Sequence, residues 1–168
     1  MITDIILKPW LGESAVVADR ILNEAIVDAD IARSYEEYLQ IVDRFYADDV
    51  EISNDASAEP VRGKERMKSA LLTFLGPLHM MAEIAGLDVS ITESRVPSDL
   101  IDVQHSEWSL ELVGVSGRSV KATWCVRRTW KESQVVNEYH YDHRQVGEPL
   151  SLGDLRVAMA ADLPSNPS

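Results

Sequence analysis

Apolar side chains recur every three to four residues in three stretches of the chain's first half, and every second residue through most of its second half. In "SAVVADRILNEAIVDADI", from Ser14 to about Ile31, Val17, Ile21, Ala25 and Asp28 share one helical face with Val16, Leu22 and Ile26 beside it, which predicts a first helix. "SYEEYLQIVDRFYADDV" predicts a second: Ser34 and Glu37 form a capping-box pattern, and Tyr38, Ile41, Val42 and Phe45 make the apolar stripe. Asp48 and Asp49, just beyond it, read as turn formers. "GKERMKSALLTFLGPLHMMAEIAG" sets Met67, Ala70, Leu71, Phe74 and Leu75 at helical spacing, and Gly76 with Pro77 predicts a break or kink, so a third helix is expected from about Lys64 to Leu75, with or without one further turn.

The period changes to two at "DVEISN", where Val50 and Ile52 alternate with Glu51 and Ser53 to predict a short strand, and the polar "NDASAEPVRG" after it reads as a loop. Further on, "LDVSITES", "DLIDVQHSEWSLELVGV", "RSVKATWCVRRTWK" and "QVVNEYHYDHRQV" are rich in β-branched and aromatic residues. Turn-like "VPSD", "GVSGR" and "KESQ" separate them, predicting four antiparallel strands. This order is that of an α+β fold in which a curved antiparallel sheet wraps around three N-terminal helices. The expected division is an arm over residues 1–13, one α+β domain over 14–146, and an extension over 147–168 that is partly disordered.

Composition narrows the function. With 168 residues, 45% of them hydrophobic, the chain can bury one continuous core. A formal net charge of −12 repels phosphate backbones and anionic lipid headgroups, which argues against nucleic acid and membrane partners. No run of apolar residues is long enough to span a bilayer and no basic leader precedes one, so the expected location is cytoplasmic. Cys125 is the single cysteine, which excludes an internal disulfide and a cysteine-based metal cluster, and it reads as a small apolar side chain of a strand. No cofactor is implied.

"FYADDVEISN", "RGKERMKSALLTFL" and the alternating "KATWCVRRTWKESQVVNEYHYD" resemble the SnoaL-like and ketosteroid-isomerase-like superfamily over roughly residues 14 to 146. The resemblance implies the cone-shaped, cystatin-like fold of nuclear transport factor 2. It also implies a small hydrophobic ligand, a homodimer, and chemistry ranging from isomerase, cyclase and dehydratase to none. Ketosteroid isomerases use a carboxylate on the first strand, a tyrosine and a protonated aspartic acid, a case used as a standard illustration of pKa tuning. Here Asn54 stands at the base position, and Asp55, one residue on, serves only if a bulge intervenes. Limonene-epoxide hydrolases share the asparagine at Asn54, but their Asp-Arg-Asp relay has no equivalent around Glu107 to Ser109 and their last-strand aspartate falls on Tyr139. SnoaL-like cyclases abstract an acidic C–H proton with an aspartate and a histidine, for which His105, Glu107, His140 and Asp142 are the candidates here.

Strand parity decides which candidates face inward. Val120, Ala122, Trp124, Val126 and Trp130 form one face of their strand, with Arg128 the polar exception on it; if buried, Arg128 needs an acidic partner or anchors a ligand carboxylate. Trp108, Leu110 and Leu112 face the same side, leaving His105, Glu107 and Glu111 opposite. In the last strand the family's register turns Asn137, Tyr139 and Tyr141 in and Glu138, His140 and Asp142 out, unless a bulge reverses them. The same spacing sets His143 opposite His140 and Asp142, which does not gather a metal site. His79, near the end of the third helix, reads as a packed or capping residue or as a group at the cavity mouth. The expected ligand-binding set is therefore Asn54, His79, Trp108, Trp124, Arg128, Tyr139 and Tyr141. The leading expectation is a small-molecule-binding SnoaL-like protein that acts by proton abstraction if it is an enzyme. The alternatives are a non-catalytic partner resembling the small subunit of ring-hydroxylating dioxygenases, suggested by "SYEEYLQIVDRFYADDVEI", and a ligand sensor or carrier.

Overall fold

A computed structural model describes residues 15–30, 32–33, 35–148 and 150. Along them run α1 (Ala15–Asp28), α2 (Tyr35–Phe45), β1 (Tyr46–Asn54), β2 (Val61–Arg62), α3 (Lys64–Ile84), β3 (Asp88–Val96), β4 (Val103–Val113), β5 (Ser119–Lys131) and β6 (Gln134–Gly147). The strands pair into one curved, open, six-stranded sheet in the order β2-β1-β6-β5-β4-β3. Neighbours are antiparallel except β1 and β6, which run parallel and bring the first strand beside the last. The expected arm over 1–13, the residues beyond 150 and the Ser34 half of the capping box lie outside the described residues.

Side chains of the helices and of one sheet face form the main core cluster, with Leu22 and Ile26 of α1, Val42 and Phe45 of α2, Met67 of α3, and Val50, Trp108, Val126, Trp130 and Val135 of the sheet, and Leu75 and Leu78 of α3 form a second, smaller one. Each fully buried aliphatic side chain here contributes about 2 kcal/mol. The buried face of α1 carries Ala18, Asp19, Leu22, Asn23 and Ile26, one residue round from the expected Val17, Ile21, Ala25 and Asp28. The cause is polar, because Asp19 and Asn23 are drawn to a guanidinium on the sheet and turn the helix with them.

Three further expectations are corrected. Asp48 and Asp49 are not a turn: α2 gives way directly to β1 at Tyr46, and both aspartates lie exposed where β1 slips against β6 between Tyr46 and Glu51. The loop after β1 contains a sixth strand, Val61–Arg62, hydrogen-bonded to Glu51 and Ile52. Helix α3 does not stop at Leu75 but continues through Pro77 to Ile84. Proline forfeits one helical hydrogen bond, yet the turns beyond it bury Leu78 and Ala82, and His79 bonds the Ala32 carbonyl, which holds the helix together.

β5 follows its expected parity, with Val126, Arg128 and Trp130 buried, and so does β4, with Ser106, Trp108 and Leu110 buried. β6 reverses its expected parity. Trp130 opposes Val135 and Thr129 opposes Asn137, so Val136 is an extra residue in β6. That bulge turns Glu138 and His140 inward and Tyr139 and Tyr141 outward.

Candidate functional site

The site begins with one basic side chain in the wrong place for a soluble surface. Arg128 stands between Val126 and Trp130 on the inner face of β5 and is 3% exposed. A buried guanidinium is tolerated only with carboxylates and acceptors around it. Its Nε–H donates to Glu138 Oε2 at 2.7 Å and its Nη1–H to Asp19 Oδ1 at 3.2 Å, and Nη1 also donates to Asn23 Oδ1. Trp130 Nε1–H donates to Asp19 Oδ1 at 2.9 Å, Asn23 Nδ2–H to Asp19 Oδ2 at 3.2 Å, and the Tyr46 hydroxyl to Glu138 Oε2. Helix α1, the start of β1, and strands β5 and β6 thus meet in one buried polar network.

Burial by itself would raise the pKa of Glu138, but Arg128, His140 and the Tyr46 hydroxyl outweigh it, and the carboxyl stays ionised well below its ordinary range. Burial raises the Tyr46 phenol far above its usual value, Arg128 pulling the other way and the nearby Glu138 adding to the rise. Tyr38, on α2, is likewise raised, by burial first and the Glu138 charge second. Both phenols are therefore neutral donors at any ordinary pH.

The network reaches open space through His140. Its Nε2 lies 2.6 Å from Glu138 Oε1, and its side chain is 28% exposed. An ionised carboxylate accepts only, so in the neutral ring Nε2 carries the proton and Nδ1 holds the lone pair. Among the described residues every buried side-chain nitrogen and oxygen has a partner, and Nδ1 has none, so Nδ1 faces open space. On the inner face the half-buried Asn54 stands opposite His140 in the β1–β6 ladder, and Val126 opposite it in the β5–β6 ladder. This is the arrangement of an oriented general base: an imidazole with a free nitrogen, its other nitrogen fixed by a carboxylate.

The expected site residues divide between the two faces. Asn54 accepts a hydrogen bond from the Ala56 amide at 2.8 Å. Trp108 is buried, donates to Ser106 Oγ at 2.8 Å and stacks on Trp124 at 6.5 Å. Tyr139 and Tyr141 do not line the inner face; they stack on each other outside at 5.4 Å, with Arg127 over Tyr139 and His105 Nδ1 3.4 Å from the Tyr141 hydroxyl. Glu107 is on that outer face as well, lining a depression of about 430 Å³ with Lys121, Cys125 and Arg144, and burial raises the Cys125 thiol pKa, leaving it a poor nucleophile. Asp55 holds the rim of the sheet, bonding His143 Nδ1 at 2.8 Å and accepting the Asp142 amide at 2.9 Å. Asp142 itself is exposed in a second β6 bulge opposite Trp124, at φ 54°. His79 bonds the Ala32 carbonyl at 2.8 Å and meets Tyr35 edge-on, a packing role. Of the proton-abstraction candidates, only His140 is turned inward. Asp19, Asn23, Tyr46 and Glu138 were missing from the expected set, and the one signal pointing to them was Arg128 among apolar neighbours.

No family model and no curated protein matches the sequence. Solved structures do match the fold. A protein from Mesorhizobium loti classed with the SnoaL-like polyketide cyclases superposes with a TM-score of 0.52 at 13% identity, covering 77% of this chain and 100% of its own. Another of that class, from Jannaschia sp. CCS1, gives 0.50 at 13% identity, covering 74% and 84%. A computationally designed 17-OHP binder gives 0.51 at 18% identity, covering 81% and 100%. At these identities the likeness is one of fold: the chain shares its architecture with these SnoaL-like proteins and the designed binder.

Proposed function

We propose that the protein binds a small, largely apolar carbonyl compound against the inner face of the sheet and removes a C–H proton from it. The observation carrying this reading is the 2.6 Å contact between His140 Nε2 and Glu138 Oε1, with Nδ1 left open. Nδ1 takes the proton from the carbon next to the carbonyl, the electron pair of that C–H bond moves to form the enolate, and the positive imidazolium is stabilised by Glu138. Glu138 keeps its charge throughout, because Arg128 and Tyr46 hold it ionised. It is a positioning residue, as is Arg128, whose guanidinium is committed to Asp19, Asn23 and Glu138. The half-buried Trp124, Ile52 and Leu71, packed against the core, supply apolar walls. A designed protein of the same architecture that binds 17-OHP is consistent with a ligand of this kind.

The test uses 2-tetralone, an apolar ketone with acidic α-hydrogens, in heavy water. Proton NMR follows loss of the α-proton signal with wild type and with His140→Asn. Wild type is expected to accelerate exchange, and the variant to lose about 100-fold or more of that acceleration. Equal rates for the two proteins would overturn His140 as the base.

A further inference from the structure

The β1–β6 ladder ends on a side chain. Asn54 faces His140, and the Asp55 N–H donates to the His140 carbonyl at 3.1 Å, as the next rung of a parallel pair requires. In a regular ladder the Asp55 carbonyl would answer by accepting the Asp142 N–H. Here the chain turns away after Asn54, and the Asp55 carboxylate takes the carbonyl's place: Oδ2 accepts the Asp142 N–H at 2.9 Å, and Oδ1 lies 2.8 Å from His143 Nδ1.

Alternation alone would put Asp142 inside. Glu138 and His140 point inward and His140 stands opposite Val126, so the next inward position of β6 is residue 142, opposite Trp124. Instead β6 sets two residues, Asp142 and His143, against Trp124 alone, since Cys125 pairs with Tyr141 and Thr123 with Arg144. Asp142 adopts φ 54° and is exposed. A left-handed backbone at a residue bearing a side chain is strained and persists where its surroundings hold it, and the Asp55 carboxylate grips both Asp142 and its successor.

We infer that Asp55 is a positioning residue: by pinning the left-handed turn at Asp142 it keeps that carboxylate off the inner face and leaves His140 Nδ1 open there. Its effect on turnover rests on His140 being the base. Glu138 of the same strand reaches His140 at Nε2, and behind Glu138 stand Arg128 of β5, Tyr46 of β1, Asp19 of α1 and, through Asn23, Glu93 of β3, with Tyr38 of α2 near enough to feel the Glu138 charge. A second carboxylate opposite Trp124, two residues from His140 on the same face, would stand on the Nδ1 side, hold a proton on that nitrogen and end its use as a base.

Asp55→Ala is compared with wild type and with Asp55→Ala/Asp142→Gly, because glycine takes a positive φ without a latch and carries no carboxylate. In nitrogen NMR of histidine-labelled protein near neutral pH, His140 Nδ1 should give a lone-pair signal in wild type, a protonated signal in the single variant and a lone-pair signal again in the double variant. In 2-tetralone exchange, kcat should fall about tenfold in the single variant and recover in the double. An Nδ1 signal unchanged by Asp55→Ala, or not restored by the glycine, overturns the role of Asp55 whatever the exchange rates. The expected Nδ1 pattern with no exchange by wild type overturns the base assignment and leaves Asp55 in its role. If Asp55→Ala fails to fold, amide hydrogen exchange of wild type decides: a protected Asp142 N–H supports the latch, and one that exchanges as fast as in a free peptide overturns it.

Discussion

Glu138 and His140, two residues apart on β6, hold each other through a 2.6 Å contact on the inner face of the sheet. Neighbours at that spacing share a face of a strand, so whatever turns one inward turns both. The extra residue Val136 does so. Deleting Val136 would restore uninterrupted alternation, throw Glu138 and His140 outward and leave Arg128 buried beside Asp19 alone. The deletion is expected to unfold the domain or cost about 3–5 kcal/mol, as loss of a buried ion-pair partner does. Val136→Ala keeps the bulge and should cost about 1 kcal/mol. Urea denaturation of both variants checks the contrast, and equal losses would contradict the role given to the bulge.

Replacing Arg128 by Met leaves the buried Asp19 and Glu138 without the guanidinium they share. The expected loss is about 3–5 kcal/mol. Adding Glu138→Gln and Asp19→Asn to that variant should recover part of it, because the uncompensated charges are then gone. Thermal and urea melts of the single and triple variants give the coupling.

Stability should fall toward both ends of the pH scale, for different residues. The Glu138 carboxyl has a folded pKa below its ordinary 4.5. Its contribution is complete above that value; below it the unfolded chain takes up a proton that the folded chain refuses, and the contribution is lost as pH falls toward the folded pKa. The slope attributable to this group approaches one proton, about 1.4 kcal/mol per pH unit, and Glu138→Gln should flatten the acid limb by that much. Tyr38 and Tyr46 are raised above 10.0. Above that pH the unfolded chain sheds phenolic protons that the folded chain retains, so stability declines as pH rises, and Tyr46→Phe should make that limb shallower. Urea midpoints across the pH range measure both limbs.

Pro77 sits within α3 and is exposed. Pro77→Ala restores the backbone N–H and is expected to stabilise the protein by about 1–3 kcal/mol. A lower melting temperature in the variant would mean that the proline shapes a bend on which Leu75 and Leu78 depend.

Much of this architecture was legible in the residues, and the reasons for the misses are physical. Alternation in "KATWCVRRTWK" placed Arg128 on an apolar face and implied a buried acid, and Glu138 and Asp19 meet that demand. Their identity was hidden, since hydrophobic periodicity weighs Asp19 and Asn23 against burial and so rotated α1 by one residue. The reversed face of β6 was hidden for another reason. A bulge is a property of two strands, visible only when Trp130 is set against Val135 and Thr129 against Asn137. Pro77 failed as a stop signal because the packing of the following turn outweighs a local preference that a sequence window sees alone.

The parallel pairing of β1 with β6 also sets a timetable. Asp19 precedes Arg128 by 109 residues, and Tyr46 precedes Glu138 by 92. At about 5–20 residues per second, Asp19 waits roughly 5 to 20 seconds in a growing chain for its guanidinium. During that wait α1 and α2 lack the β5 and β6 part of the sheet, and β1 has no neighbour on its β6 edge. The polar centre and the inner face on which His140 depends therefore come into being in one late event, when the last strand slides in beside the first.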